Sequence, residues 1–176
     1  MELEAHLPFW GELTREQREK LSRAAVERTF PQGTLVSGGS EDCTGLVLPL
    51  TGQLRAYLLT EEGKELTLYR LFPGDLCLFS ASCAMRGIQF DVMVEAQRDT
   101  RALLLPAPVY RDLMESSVPV ANFTNQLMAG RFSDVIWLMD QILSKKLDSR
   151  LAAFLVEEGR LAGSGELSLT HDQIAR

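Results

Sequence analysis

Residues 118–147 read VPVANFTNQLMAGRFSDVIWLMDQILSKKL and predict one long helix from Pro119 to Leu147. No proline follows Pro119 in this stretch, and Gly130 is the only weak helix former near its centre. Apolar residues recur at alternating spacings of four and three, which is typical of a coiled-coil seam. They are Met128, Phe132, Val135, Met139 and Ile142. We therefore expect these five residues to form the interface of a homodimer.

The apolar part of this helix is wider than a two-helix seam needs. Leu127, Arg131 and Leu138 flank the seam on one side, and Ile136 and Leu143 flank it on the other. A helix with so wide an apolar arc contacts two things at once, and we expect a twin helix and the body of its own domain. The alternative is an ordinary core helix. Trp137 counts against it, because at ~100° per residue it falls roughly opposite the seam.

Length and composition indicate a globular protein of one ordinary domain with an appendage. The chain has 176 residues, of which 45% are hydrophobic and 24% charged. We expect no membrane span, because no apolar run approaches ~20 residues. Three cysteines and an acidic N-terminus without a signal pattern favour reduced thiols in the cytoplasm. A net charge of −6 argues against general nucleic-acid binding but not against a local basic face.

Between Glu27 and Pro106 the sequence changes to short β-type runs separated by Gly and Pro turns. Many short strands at close intervals predict a sandwich or barrel. The predicted strands are Arg28–Phe30, Thr34–Val36, Leu46–Leu50, Gln53–Leu59, Glu65–Leu71, Leu76–Phe79, Phe90–Ala96 and Arg101–Leu105.

Helices are predicted on both sides of this region. Thr14 and Gln17 form a capping-box pattern that opens a helix to about Val26. A short helix is expected at 108–115, and another at 148–161 with Asp148 or Ser149 as its cap. Residues 166–169 read as a short strand. Thr170 to Gln173 form a second capping box, whose helix is cut off at Arg176, so we expect the chain to be incomplete as a fold.

The order of these parts resembles the Crp/Fnr family of bacterial transcription regulators. The resemblance rests on six segments in order, helped by a glycine-rich turn near Gly38. They are PQG at 31–33, GQLRAYL at 52–58, TEEGKE at 60–65, LFPGDL at 71–76, DSRLAAFL at 148–155 and LTHDQIA at 169–175. It implies a mixed α+β fold with a double-stranded β-helix, a jelly-roll or cupin-like β-roll. Residues 1–117 would be a cyclic-nucleotide-binding-like sensor, 118–146 a dimerisation helix, and 147–176 the start of a winged helix-turn-helix.

The resemblance also implies a function, that of a cytoplasmic, homodimeric, DNA-binding transcription regulator that is not an enzyme. Operator DNA and RNA polymerase would be its partners, and the DNA-binding region would start at Thr170, His171, Gln173 and Arg176. The alternative is a β-roll regulatory module of an enzyme or channel without DNA binding. A helix-turn-helix start favours the first interpretation. A cupin enzyme is disfavoured, because neither histidine, His6 or His171, lies in the β-roll.

The cyclic-nucleotide signature of the family is altered in this chain. Members that bind cyclic AMP carry a Glu that holds the ribose and an Arg that pairs with the phosphate. Phe79 lies near the first position, and Phe90 and Asp91 lie near the second, where they offer no cation for a phosphate. We expect a largely apolar effector pocket and an effector other than cyclic AMP. The predicted pocket residues are Leu76, Phe79, Phe90, Asp91, Val135 and Ile136.

Cys77 and Cys83 lie in the segment CLFSASC, with Cys43 upstream. They could form a thiol switch or a metal site, although cysteines are more often small core residues. An Fnr-type iron–sulfur cluster is disfavoured, because no cysteine precedes Cys43. We predict no metal site. Haem stays an open alternative, since a cysteine, His6 or the N-terminus could ligate iron.

A basic group lies near the C-terminal end. Lys145, Lys146, Arg150 and Arg160 could contact the phosphate backbone of DNA or form a solvated helix face.

Overall fold

Two antiparallel sheets form the centre of the structure. The computed structural model describes residues 3–38, 45–78, 80, 91–171 and 174, and within them seven strands pair. One sheet has the order β1-β7-β3, with β1 at Val26–Phe30, β7 at Thr100–Leu105 and β3 at Leu46–Pro49. The other has the order β2-β6-β4-β5. Its strands are β2 at Leu35–Gly38, β6 at Met93–Arg98, β4 at Gln53–Leu59 and β5 at Glu65–Leu71.

The two sheets form a β-roll in which β3 and β7 are buried on both faces. Successive side chains of a strand point to opposite faces. Leu46 and Leu48 of β3 therefore join one core cluster, while Val47 joins the other. In β7, Leu103 and Leu105 face the first cluster, and Ala102 and Leu104 face the second. The second cluster, which we call the roll interior, lies between the two sheets. The first, the helix-side core, holds the helices onto the roll.

The described part of the chain also contains four α-helices. They are α1 (Arg15–Ala24), α2 (Ala107–Ser116), α3 (Val118–Ser144) and α4 (Leu147–Ala162). The predicted capping box at the start of α1 is confirmed: the Thr14 hydroxyl accepts from the Gln17 N–H, and the Thr14 N–H donates to the Gln17 side chain. Lys20 of α1 forms a 2.7 Å ion pair with Asp112 of α2.

The first half of α3 is fixed by the helix-side core. Val120 and Thr124 are buried, and Phe123, Leu127 and Met128 pack against the same core. The Phe123 ring lies 5.2 Å from that of Phe9, which belongs to the N-terminal segment. The prediction that the long helix contacts its own domain is confirmed for these residues.

Two predicted strands are not strands. Within 76–78, Cys77 makes only an isolated bridge to Val47, and Phe79 lies outside the described residues. The Ser80 hydroxyl accepts from the Val47 N–H and donates to the Cys77 carbonyl. Residues 166–169 have no regular structure, because no described strand pairs with them.

The helix boundaries near residue 146 also differ from the prediction. The long helix ends at Ser144 rather than at Leu147, and α4 begins at Leu147. The break occurs because Lys146 takes an extended backbone with ψ 153° and serves as the N-cap of α4 without a side-chain bond. Asp148 is therefore not the cap. It lies in the first turn, where its negative charge interacts favourably with the helix dipole.

The chain divides into two compact units, Met1–Arg131 and Phe132–Arg176. The first contains the sheets, α1, α2 and the first half of α3. The second contains the rest of α3 and α4, and none of its described residues is buried. Among the described residues, no helix is long and apolar enough to cross a membrane.

Candidate functional site

The roll interior is the candidate effector site. It is formed by side chains from both sheets, among them Leu54, Ala56, Tyr69, Leu71 and Val94, each no more than 9% exposed. Ala56 pairs with Tyr69 and Leu54 pairs with Leu71, so these four residues of β4 and β5 lie on the same face. The chemistry of this interior is apolar, with the Tyr69 phenol as a polar exception.

Arg131 of α3 closes over Tyr69. Its guanidinium carbon lies 4.4 Å from the centre of the Tyr69 ring, at a distance where cation–π attraction is effective. This contact joins β5 to the long helix within the first unit. The sequence placed Val135 and Ile136 at the effector, whereas this contact comes four residues before Val135. Arg131 was interpreted only as a flank of the seam, because its aromatic partner lies 62 residues earlier and no local pattern connects them.

A buried arginine lies on the opposite face of the same sheet. Arg55 alternates with Leu54 and Ala56 along β4, so it points away from the roll interior. Its side chain is 3% exposed, and its guanidinium pairs with Glu65 of β5 and, at 3.3 Å, with Glu95 of β6. The Tyr57 ring lies 4.2 Å from the guanidinium carbon. Two carboxylates compensate one buried cation, so this group ties three strands together. We call it the Arg55 cluster.

The predicted effector residues lie in different surroundings. Leu76 is buried in the helix-side core, and Asp91 is exposed at the surface. Val135 is half-buried, Ile136 is exposed, and both belong to the second unit. Phe79 and Phe90 lie outside the described residues. The effector assignment therefore stays a prediction, and Tyr69 and Arg131 are further candidates.

The cysteine prediction is tested only for its first member. Cys77 is fully buried in the roll interior, where its N–H donates to the Val47 carbonyl at 2.8 Å. Cys43 and Cys83 lie outside the described residues, so the pairing of Cys77 with Cys83 stays a prediction. Within the described part of the chain, no group of three or more His, Cys, Asp or Glu residues could hold a metal ion.

The predicted dimer residues are distributed along both halves of α3. Met128 packs against the helix-side core, and Val135 is half-buried. Phe132, Met139 and Ile142 are exposed large apolar side chains. Exposure of this kind is what a helix with an external partner requires.

The basic group lies at the surface. Lys145, Lys146 and Arg160 are exposed, Arg150 is half-exposed, and Arg160 forms a 3.1 Å ion pair with Glu157. At the expected start of the DNA-binding region, Thr170 and His171 are exposed. The Ile174 N–H donates to the Thr170 carbonyl at 3.1 Å. Gln173 and Arg176 lie outside the described residues.

Comparison with known proteins identifies the family. The family described as Cyclic nucleotide-binding domain matches residues 27–117. A crystal structure of a candidate Crp/Fnr-family transcriptional regulator from Eubacterium rectale is 50% identical, with a TM-score of 0.94. The match covers 97% of this chain and 79% of that one. A search of curated proteins finds no match.

More distant structures share the fold. FixK2 from Bradyrhizobium japonicum is 23% identical with a TM-score of 0.66, over 83% of this chain and 69% of that one. The c-di-GMP-responsive global regulator CLP from Xanthomonas campestris is 16% identical with a TM-score of 0.63, over 90% and 76% of the two chains. The β-roll followed by a long helix, together with the match to the Eubacterium rectale protein along nearly the whole chain, shows that this chain belongs to the Crp/Fnr family of transcriptional regulators.

Proposed function

We propose that the protein is a homodimeric, DNA-binding transcription regulator of the cytoplasm, with a β-roll that senses an effector other than cyclic AMP. One observation carries the proposal: α3 leaves the helix-side core and continues for three turns with large apolar side chains exposed, in a chain of the Crp/Fnr family. Exposed apolar residues at heptad spacing favour pairing with a second helix. The protein acts by binding rather than by catalysis.

Dimerisation is tested by shortening the exposed side chains that any seam on this face would use. Phe132→Ala combined with Met139→Ala removes large apolar groups at ~2–5 kcal/mol each where they are buried in an interface. Sedimentation should show a dimer for the unaltered chain and a monomer for the double variant. Trp137→Ala is the matched control, because Trp137 is equally exposed but lies on the polar side of the helix. A double variant that stays dimeric at micromolar concentration would contradict the proposed dimer.

The effector hypothesis rests on the apolar roll interior and on Asp91. A cyclic phosphate needs a cation or several N–H donors, and Asp91 supplies a negative charge near the position where the family places an arginine. Titration of cyclic AMP in a calorimeter should therefore give no heat up to millimolar ligand. Binding of cyclic AMP at micromolar concentration, one molecule per chain, would contradict this part of the proposal.

An effector in the roll interior would act on the long helix through Arg131. A ligand that enters the roll interior beside Tyr69 meets the guanidinium that stacks on that ring. Displacing or strengthening this contact changes the free energy of one position of α3 relative to another, which is how a ligand shifts a conformational equilibrium. Arg131→Gln should leave the β-roll folded while it weakens the effect of any effector on DNA binding.

DNA binding is tested by the sequences that the protein selects. A two-fold symmetric dimer recognises a pseudo-palindrome with half-sites ~34 Å apart, and its affinity falls as salt is raised. Selection from a random DNA pool should enrich such a palindrome. RNA polymerase is the expected second partner, to be captured on promoter fragments that carry the selected site. Enrichment of no sequence would contradict the proposed DNA-binding function.

A further inference from the structure

We propose that the dimer seam of α3 is formed by Phe132, Ile136, Met139 and Leu143, each of which packs against its own copy in a parallel helix of a second chain. This inference rests on the dimer proposed above and assigns its register. It differs from the seam that the sequence predicts, which uses Val135 and Ile142 instead of Ile136 and Leu143. Phe132 and Met139 belong to both registers.

The exposed fractions of the side chains distinguish the two registers. Phe132 is 68% exposed, Ile136 47%, Met139 49% and Leu143 79%. Met128, the first residue of the predicted seam, is already used by the helix-side core, and Val135 is half-buried. Ile142 is 40% exposed, less than any residue of the proposed register. Apart from Trp137, which is 62% exposed on the polar side of the helix, the most exposed large apolar side chains of residues 132–144 are those of the proposed register.

Helix geometry gives the same division. At ~100° per residue, Ile136, Met139 and Leu143 lie within about 40° of Phe132 around the helix axis. Val135 and Ile142 lie about 60° and 80° to one side, which is the side of Thr124 and Val120. Thr124 and Val120 are the residues of α3 that are buried in the helix-side core. The face that α3 presents to its own domain and the proposed seam are therefore different faces of one helix, as the wide apolar arc requires.

The chemistry of the stripe fits a second copy of this chain. Its spacings of four, three and four are those at which two identical helices interlock around a parallel two-fold axis. The stripe contains no charged residue, and the nearest charge, Asp140, lies about 80° from Phe132 around the axis. From Phe132 to Leu143, 12 residues, the stripe is about 16 Å long. A parallel pair places each uncharged position opposite its own copy, so no buried charge is left without a partner.

Single cysteine substitutions test the register directly. Ile136→Cys and Leu143→Cys are compared with Val135→Cys and Ile142→Cys under mild oxidation, with the unaltered chain as the control for the native cysteines. Disulfides form only where Cα atoms lie within ~7 Å, so the first two variants should cross-link at least ~10-fold faster than the second two. Cross-linking at both 136 and 143 also requires parallel helices, because antiparallel helices cannot match two such positions at once.

Alanine variants provide a second measurement without oxidation. Ile136→Ala and Ile142→Ala remove the same atoms from neighbouring faces, and only the first should weaken the dimer, by at least ~10-fold in dissociation constant. Faster cross-linking at 135 and 142, or an equal effect of the two alanine variants, would overturn the register while the dimer stands. A dimer with no cross-link at any of the four positions would also overturn it. An unaltered chain that sediments as a monomer would overturn both the register and the proposed dimer.

Discussion

At the scale of single residues, Arg55 shows how a buried charge is kept in this sheet. Glu65 and Glu95 are 20% and 23% exposed, and both pair with a guanidinium that is 3% exposed. Arg55→Met leaves two carboxylates close together without their cation. Because water can reach part of each carboxylate, we expect a loss of ~2–3 kcal/mol in the free energy of unfolding, below the ~3–5 typical of fully buried pairs. Urea unfolding monitored by circular dichroism measures it.

Arg15→Met is the matched control, because Arg15 pairs with Glu19 at the surface and is 93% exposed. Its effect should stay within ~0.5 kcal/mol. If Arg55→Met were as mild as this control, the Arg55 cluster would contribute nothing to stability. Adding Glu65→Gln and Glu95→Gln to Arg55→Met should recover part of the loss, since it removes the uncompensated charges.

The stability of the fold should depend on pH through Tyr110. Its hydroxyl lies 2.7 Å from that of Thr124 in the helix-side core, and burial raises the pKa of Tyr110 above its ordinary value of 10.0. A raised pKa in the folded chain means that this group stabilises the fold fully below pH 10.0 and that the contribution is lost as pH rises through the folded pKa. Tyr110→Phe should cost ~1 kcal/mol at neutral pH for the lost hydrogen bond.

The same variant should lose less stability than the unaltered chain when the pH is raised above 10.0, because it has no buried phenol to ionise. Urea midpoints of both chains at neutral and alkaline pH give this difference, in which the other tyrosines cancel. Parallel alkaline slopes for the two chains would contradict the role given to Tyr110.

At the scale of elements, local patterns predicted most of the fold. The bounds of β4 and β5 are confirmed at Gln53–Leu59 and Glu65–Leu71, because the Glu62-Gly63 turn between them admits few registers and Gly63 takes a φ of 77°. The errors at 76–78 and 166–169 share one cause: an apolar or alternating run becomes a strand only where a neighbouring strand pairs with it along its length. The candidate site was harder to predict, since Tyr69 and Arg131 meet only after the sheets and α3 are assembled.

Gly130 is a weak point of α3 that an alanine can strengthen. It is exposed within the helix, and an added Cβ would have no neighbouring atom within 4 Å. Gly130→Ala should raise the free energy of unfolding by up to ~1 kcal/mol, because alanine loses less backbone entropy in a helix. Gly52→Ala is the contrasting control: Gly52 has a φ of 81° and its Cβ would press on Asp99 and Thr100, so it should destabilise. Chemical denaturation of both variants measures these changes in the free energy of unfolding. A Gly130→Ala variant that is less stable than the unaltered chain would contradict this prediction.

At the scale of the whole molecule, the two units differ in what holds them together. The first has the roll interior and the helix-side core, whereas no described residue of the second is buried. A helix of this length without a buried face is only marginally stable, because helices in proteins owe most of their stability to packing. In the proposed dimer, the second half of α3 gains its packing from the other chain. The stability of residues 132–144 should then depend on protein concentration.

Amide hydrogen exchange read by mass spectrometry measures this dependence. In a dimeric sample, amides of residues 132–144 should be protected, and dilution below the dissociation constant should reduce that protection by ~10-fold or more. Phe132→Ala combined with Met139→Ala should give the same loss without dilution, while β4, β5 and β6 keep their protection, because their cores lie in the first unit. Trp137→Ala should leave both regions unchanged. If neither dilution nor the double variant reduced the protection of residues 132–144, the helix would be held by its own chain. Its exposed apolar residues would then not form an interface.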